Sequence, residues 1–177
     1  MTGEEIVKQA RNASKDFRLT SGKSGKFSGA MTVELIKRVL ADEGICTSAR
    51  DVFIQGIPFE IDLIVPHPGE KPTLGLLYEP QQVAAALEIK KMGLFGEQTL
   101  QTIQKNFNQL RGLKVACAYV TLEDRKSYRY KATEENLGGF PCFTLAWHKV
   151  TDGPVEDTHD WDRLLTFIRK CISAGSS

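Results

Sequence analysis

Leu113 to Leu122 is a nearly unbroken apolar run, with Val115, Ala116, Cys117, Ala118, Tyr119 and Val120 at its centre. A strand of that composition has no face for water, so both of its sides must be covered. That demand points to an α/β domain, with a mixed central β-sheet flanked by helices. The residues just before the run supply one cover. Leu100, Ile103, Phe107 and Leu110 recur at helical spacing across Glu97 to Arg111, and Gly112 closes the helix.

The rest of the chain fills in around this unit. Gly3 to Phe17 reads as a helix capped by Thr2, with Glu5 three residues on in the capping-box position. Thr32 to Glu43 reads as a second helix, with Val33, Ile36 and Leu40 on its apolar face and Gly44 after its end. Asp51 to Gln55 is a short strand, and Gly56-Ile57-Pro58 is a turn. Phe59 to Val65 alternates strictly, with Phe59, Ile61, Leu63 and Val65 on one face and Glu60 and Asp62 on the other. Val83 to Lys90 is a further strand, in which Glu88 and Lys90 share a face with Ala84 and Ala86. Phe140 to Val150 reads as a strand and Trp161 to Ile172 as a helix. With no internal repeat, residues 1–177 read as one domain, an ordinary size for a single core.

Composition removes several function classes. The chain has 23 basic and 22 acidic residues, a net charge of +1, so a strongly basic nucleic-acid coat and an acidic tail protein are both excluded. No apolar run reaches the roughly 18–20 residues of a membrane span. The polar start, with Glu4, Glu5 and Lys8, is not a secretory signal, and a cytoplasmic location is expected. Cys46, Cys117, Cys142 and Cys171 are widely spaced, which argues against a zinc site or a disulfide framework and for reduced thiols acting as core filler.

Acidic side chains are normally kept off strand faces inside an α/β domain, because an unpaired buried charge is costly. Here two strands break that rule. One carries Asp62, with Glu60 on the same face; the other carries Glu88 and Lys90. If these strands pair, Asp62, Glu88 and Lys90 converge. Two carboxylates at one spot repel, and a divalent cation relieves the repulsion; Mg²⁺ suits hard oxygen ligands and keeps several waters. A lysine beside it can hold a nucleophilic water or offset charge on a phosphate. That combination suits phosphodiester hydrolysis.

Ile61-Asp62 followed by Glu88-Ile89-Lys90 resembles the PD-(D/E)XK nuclease superfamily, the restriction-endonuclease-like fold. The element order is similar too: that family's core runs helix, three strands, helix, strand, and the likeness covers about residues 32–122. The resemblance implies a metal-dependent nuclease acting on nucleic acid, with DNA as the expected substrate, Mg²⁺ as cofactor and Mn²⁺ able to substitute. It implies that Asp62 and Glu88 bind the metal, joined by the backbone carbonyl of Ile89, and that Lys90 is the catalytic lysine. Glu34 stands where many members place a further metal-facing glutamate, with a solvated helix residue as its other reading. Two features depart from the family pattern: Ile61 replaces a proline, and the link from Pro66 to Gln82 is long, holding either a short strand at Leu74 to Tyr78 or a substrate loop. The rival reading keeps the fold and loses the chemistry, leaving an inactive nucleic-acid-binding or assembly protein. The intact set Asp62, Glu88 and Lys90 argues against it. A homodimer is compatible with either.

Weaker candidates surround this set. Thr20 to Gly29 is a loop of glycine, serine and lysine that fails the Walker A spacing, leaving Lys23 and Lys26 as candidate phosphate contacts. The polar face of the long helix carries Gln98, Gln101, Gln104, Lys105 and Asn108; Gln101, Gln104 and Lys105 are candidate substrate contacts, against an ordinary wet helix face. Tyr128, Arg129, Tyr130 and Lys131 interleave aromatic and basic residues, as nucleic-acid surfaces often do. His67, His148 and His159 are scattered and form no triad. Residues 1–30 and 91–120 each carry a net charge of +3, whereas 31–60 and 61–90 each carry −2. An acidic pocket on basic ground is what a metal-dependent phosphodiesterase needs.

Overall fold

The computed structural model describes residues 1–18, 24–93, 96–127, 132–149 and 153–175, with 14–18 and 24–28 described through their backbone alone. In chain order the elements are α1 (Gly3–Arg18), α2 (Ser24–Asp42), β1 (Phe53–Ile54), β2 (Leu63–Pro66), β3 (Leu77–Tyr78), β4 (Val83–Met92), α3 (Glu97–Gly112), β5 (Cys117–Arg125), β6 (Cys142–His148), β7 (Val155–Asp157) and α4 (Asp160–Ala174). Five strands form one mixed sheet in the order β2-β4-β5-β6-β7. The inner strands β4, β5 and β6 are parallel; β2 and β7 run antiparallel to their neighbours. No described helix is long and apolar enough to cross a membrane.

Helices cover both faces, as the apolar run at 113–122 requires. Ile6, Val7 and Ala10 of α1, Val33, Ile36 and Leu40 of α2, and Trp161, Leu164 and Ile168 of α4 bury against Ala118, Val120 and Leu122 of β5. On the other side Leu100, Ile103, Phe107 and Leu110 of α3 bury against Cys117 and Tyr119. Thr2 and Glu5 form the reciprocal capping box: Thr2 N donates to Glu5 Oε2 at 2.7 Å and Glu5 N to Thr2 Oγ1 at 3.2 Å.

Several boundaries differ from the sequence reading, each for a physical reason. The apolar run opens in a turn, where Lys114 takes a left-handed φ of 61° and Val115 N bonds back to Leu110 O. The strand therefore starts at Cys117 and runs on through Glu123, Asp124 and Arg125. Those buried acids are tolerated because they are satisfied. Asp124 accepts from the amides of Arg125 and Ala132, while Glu123 accepts from Arg11. The strict alternation over 59–65 also fails. Ile61 and Ile64 join the α3 side and Leu63 and Val65 the opposite side, so the phase changes before β2 and this edge strand is buried on both faces. Val83 and Ala84 are likewise swapped in side, next to a register shift at Val65/Pro66.

The long link after β2 is ordered around β3, which pairs in parallel with β1 through Phe53↔Leu77 and Ile54↔Tyr78. The glycine- and serine-rich segment is helical from Ser24 onward, because a docked helix propagates more cheaply than it nucleates. Lys23 and Tyr128 to Lys131 lie outside the described residues, and only the backbone of Lys26 is described. The four cysteines are free; Cys117 and Cys142 are core filler, but Cys46 is exposed. Burial pushes the Cys117 thiol up to about 12, so it stays protonated.

Arg11 ties α1 to the sheet. Its Nε donates to Glu123 Oε2 at 3.1 Å, its Nη2 reaches the same oxygen, and its Nη1 bonds the carbonyl of Gly153. The Glu123 side chain is 5% exposed. Removing the guanidinium strands a buried charge, so Arg11→Ala should cost about 3 kcal/mol in urea-induced unfolding. A loss below about 1 kcal/mol, the size of a surface pair, would show that Glu123 does not depend on it.

Candidate active site

The antiparallel pairing of β2 with β4 sets Leu63 against Leu87. Asp62, one residue before β2, therefore faces Glu88 across the strand pair. Ile89 is 2% exposed and sinks into the core on one side of β4, which turns its neighbours Glu88 and Lys90 to the other. Asp62 is pinned from behind, since Val52 and Ile61 pair and Asp51 N bonds Asp62 O at 3.4 Å.

Three side chains meet as a result. Lys90 Nζ lies 2.9 Å from Asp62 Oδ2 and 2.6 Å from Glu88 Oε1, and the Ile89 amide donates to Asp62 Oδ2 at 2.7 Å. Two carboxylates that reach one ammonium are close enough to share one metal ion. The walls beside Glu88 are apolar: Phe59, Ile61, Ala86, Ile103, Phe107 and Leu110, with Asn106 as the polar exception. Burial there raises the Glu88 pKa, the charge on Asp62 raises it further, and Lys90 only partly opposes them. For Lys90, burial works to lower the pKa, but Glu88 and Asp62 outweigh it and the ammonium is held firmly charged. Tyr119, paired with Glu88 across β4 and β5, is pushed up by burial and by the Glu88 charge.

This arrangement sits in a known architecture. NucC of P. aeruginosa ATCC27853 in its cAAA-bound form superposes with a TM-score of 0.59 at 12% identity, covering 98% of this chain and 89% of that one. The cAAA-bound form of E. coli MS115-1 NucC gives 0.60 at 11% identity over 98% and 88% of the two chains, and its apo form 0.50 at 13% over 94% and 89%. The chain has the restriction-endonuclease-like fold of NucC. At these identities the likeness to NucC is one of fold. No protein-family model matches the sequence, and no curated relative does either.

The remaining candidates divide. Glu34 does not join the cluster: its side chain is 54% exposed and stands 4.0 Å from Lys37. Val33, Ile36 and Leu40 take the buried face of α2, and position 34 falls outside it. Among the described residues no three His, Cys, Asp or Glu side chains gather into a metal cage. Glu60 is exposed, as are Gln101 and Lys105. Gln104 has a structural tie, its Nε2 donating to Asn136 O at 2.9 Å. Sequence reading missed Asn106, which borders the apolar stripe of α3 and lines the cleft with Glu88. It also missed Thr121, which pairs with Lys90 in a parallel register that the sequence does not encode locally.

The raised Glu88 pKa makes a stability prediction. The folded chain holds the Glu88 proton more tightly than the unfolded chain, whose value is the ordinary 4.5. Stability is thus fully favoured below that pH and is lost as pH rises through the higher folded value. Glu88→Gln carries no titrating group. In metal-free buffer it should melt above the wild type at neutral pH, with the gap closing as pH falls toward 4.5. A variant that melts lower at neutral pH would show that the Lys90 contact outweighs the burial of charge.

Proposed function

We propose that the chain is a Mg²⁺-dependent nuclease that hydrolyses phosphodiester bonds in DNA in the cytoplasm, with Mn²⁺ able to replace Mg²⁺. The observation that carries this reading is the joined set Asp62, Glu88 and Lys90 on paired strands of a restriction-endonuclease-like sheet. The fold is shared with NucC, itself a nuclease of that type. An inactive relative would be under no constraint to keep two carboxylates and a lysine on one cleft, where the Glu88 charge opposes folding.

The donor set suits a hard cation. Both carboxylates already turn toward one positive group, the Lys90 ammonium, and Mg²⁺ is commonly bound by one or two carboxylates with waters completing its shell. Asp62 and Glu88 would hold it, with the Ile89 carbonyl as a third ligand. When bound, the metal polarises the phosphoryl oxygen and lowers the pKa of its water.

The chain's own groups do the rest. The Ile89 amide fixes the Asp62 carboxylate in one orientation, so no rotor has to be frozen when substrate arrives. Lys90, held charged by its neighbours, orients the attacking water and offsets charge growing on the phosphate oxygens. The apolar wall from α3 limits competing water around Glu88 and strengthens both effects.

Purified protein should nick plasmid DNA with Mg²⁺ and stop when a chelator is added. Lys90→Ala and Asp62→Asn should each slow cleavage by about 100-fold or more, the size of losing one preorganised charge-stabilising group. Lys90 is 43% exposed, so its truncation opens no core cavity, but it leaves Asp62 and Glu88 without their shared counter-ion, so Lys90→Ala should melt lower than the wild type at neutral pH in metal-free buffer and still unfold cooperatively. Equal cleavage by wild type and Lys90→Ala would remove the lysine from the mechanism. Normal cleavage by Asp62→Asn would place the activity elsewhere.

A further inference from the structure

Met1 apart, the exposed large apolar side chains among the described residues gather in one place. Phe53, Leu74, Leu76 and Leu77 all belong to β1, β3 and the turn that leads into β3. Phe53 and Leu77 are direct partners across the parallel pair, and their neighbours Ile54 and Tyr78 are buried, so the two turn outward side by side. Leu113 is exposed too and lies against Gly56, just past the end of β1, where a Cβ would stand 3.7 Å from Leu113 Cδ1. Exposed leucines scattered singly are ordinary, whereas a joined apolar patch of a few hundred Å² marks an interaction site.

Leu74 is the unusual member. It is 95% exposed and takes a φ of 52°, followed by Gly75 at 77°. The Leu76 amide bonds back to Thr73 O at 3.2 Å, closing a turn whose two central residues both have positive φ. Such turns favour asparagine, aspartate or glycine, and a leucine is strained there because its Cβ crowds the following carbonyl. With its side chain in water, Leu74 gains nothing inside the chain that offsets the strain, which points to a contact outside the chain. The turn is also held in place. Thr73 and Leu77 exchange backbone bonds at 2.8 and 3.1 Å, and Gln82 Nε2 straps the segment before it by donating to Glu70 Oε2 at 2.9 Å and Lys71 O at 3.2 Å. A patch fixed in this way loses little freedom on docking.

We infer that this face docks on the same face of a second copy of the chain. Charge selects that partner. Arg50 and Lys71 accompany Asp51, Glu70 and Glu79 around the hairpin, and Arg111 and Lys114 stand on either side of Leu113 in the chain. A phosphate backbone needs a basic surface, and the hairpin does not offer one. A copy of this face brings both signs, and a two-fold axis sets residue i against j and j against i, so that unlike charges can be matched. The area agrees: a standard interface takes about 800 Å² from each partner, as an apolar centre within a polar rim. Phe53 and the leucines supply the centre, and the charged residues supply the rim.

Sedimentation velocity of the full chain in chelator, over about 1–100 μM, tests the inference apart from cleavage. The wild type should pass from monomer to an even-numbered assembly as concentration rises. Leu74→Asn should weaken that association about 100-fold, since each dimer loses two leucines at about tenfold each. Asparagine suits the turn, so the dilute, monomeric variant should melt at or above the monomeric wild type. Leu76→Lys, on the same patch, should also dissociate the assembly. A wild type that stays monomeric throughout, an odd-numbered assembly such as a trimer, or a Leu74→Asn variant that associates as tightly as the wild type overturns the proposal. So does a Leu74→Asn monomer that melts well below the wild type, because the leucine would then serve the fold. A chain that assembles as described yet never nicks plasmid would leave this interface standing and sink the nuclease reading alone.

Discussion

The pairing of Leu63 with Leu87 governs the chemistry of this molecule. A slip of one residue in an antiparallel pair sends every side chain of a strand to the opposite face. Asp62 would then leave Glu88, the Ile89 amide would lose its acceptor, and Lys90 would face one carboxylate in place of two. What prevents the slip is burial on both sides of β2: Leu63 and Val65 fill one core and Ile64 the other. The site is thus positioned by apolar packing that touches none of its polar atoms.

The same cores explain why the cleft is a place of electrostatic tension. Among the described helices, three cover one face of the sheet and α3 covers the side that Glu88 faces. Ile103, Phe107 and Leu110 bring hydrocarbon up to a carboxylate that an opposing carboxylate already disfavours. Lys90 compensates only in part. A bound cation would remove the conflict, so the free energy withheld from folding is available for binding metal.

Much of this was legible in the sequence. The helices announced themselves through periodicity, and the Glu88-Ile89-Lys90 alternation showed its charged face because Ile89 so plainly belonged inside. What misled was local pattern that tertiary structure overrode. The run at 113–122 is apolar throughout, so nothing in it marks the turn at Lys114, and the acids at Glu123 and Asp124 looked like the strand's end because their partners lie far away in sequence. Strict alternation over 59–65 concealed a change of phase between two cores. Glu34 was placed by likeness to a family, and helix geometry, which buries Val33 and Ile36, turned it to solvent. Asn106 and Thr121 became visible only with the docking of α3 and the register of β5.

The Arg11 anchor has a consequence for the order in which the molecule can be made. Its two partners lie 112 and 142 positions further along the chain. On a ribosome adding about 5–20 residues per second, α1 emerges several seconds before either partner exists. During that interval its apolar stripe of Ile6, Val7 and Ala10 has no strand to cover, and the contact it finally makes is among the most non-local in the fold. A helix made well ahead of the sheet is therefore among the last elements to be locked, and Glu123 of β5 waits for its guanidinium until a segment made long before returns to it.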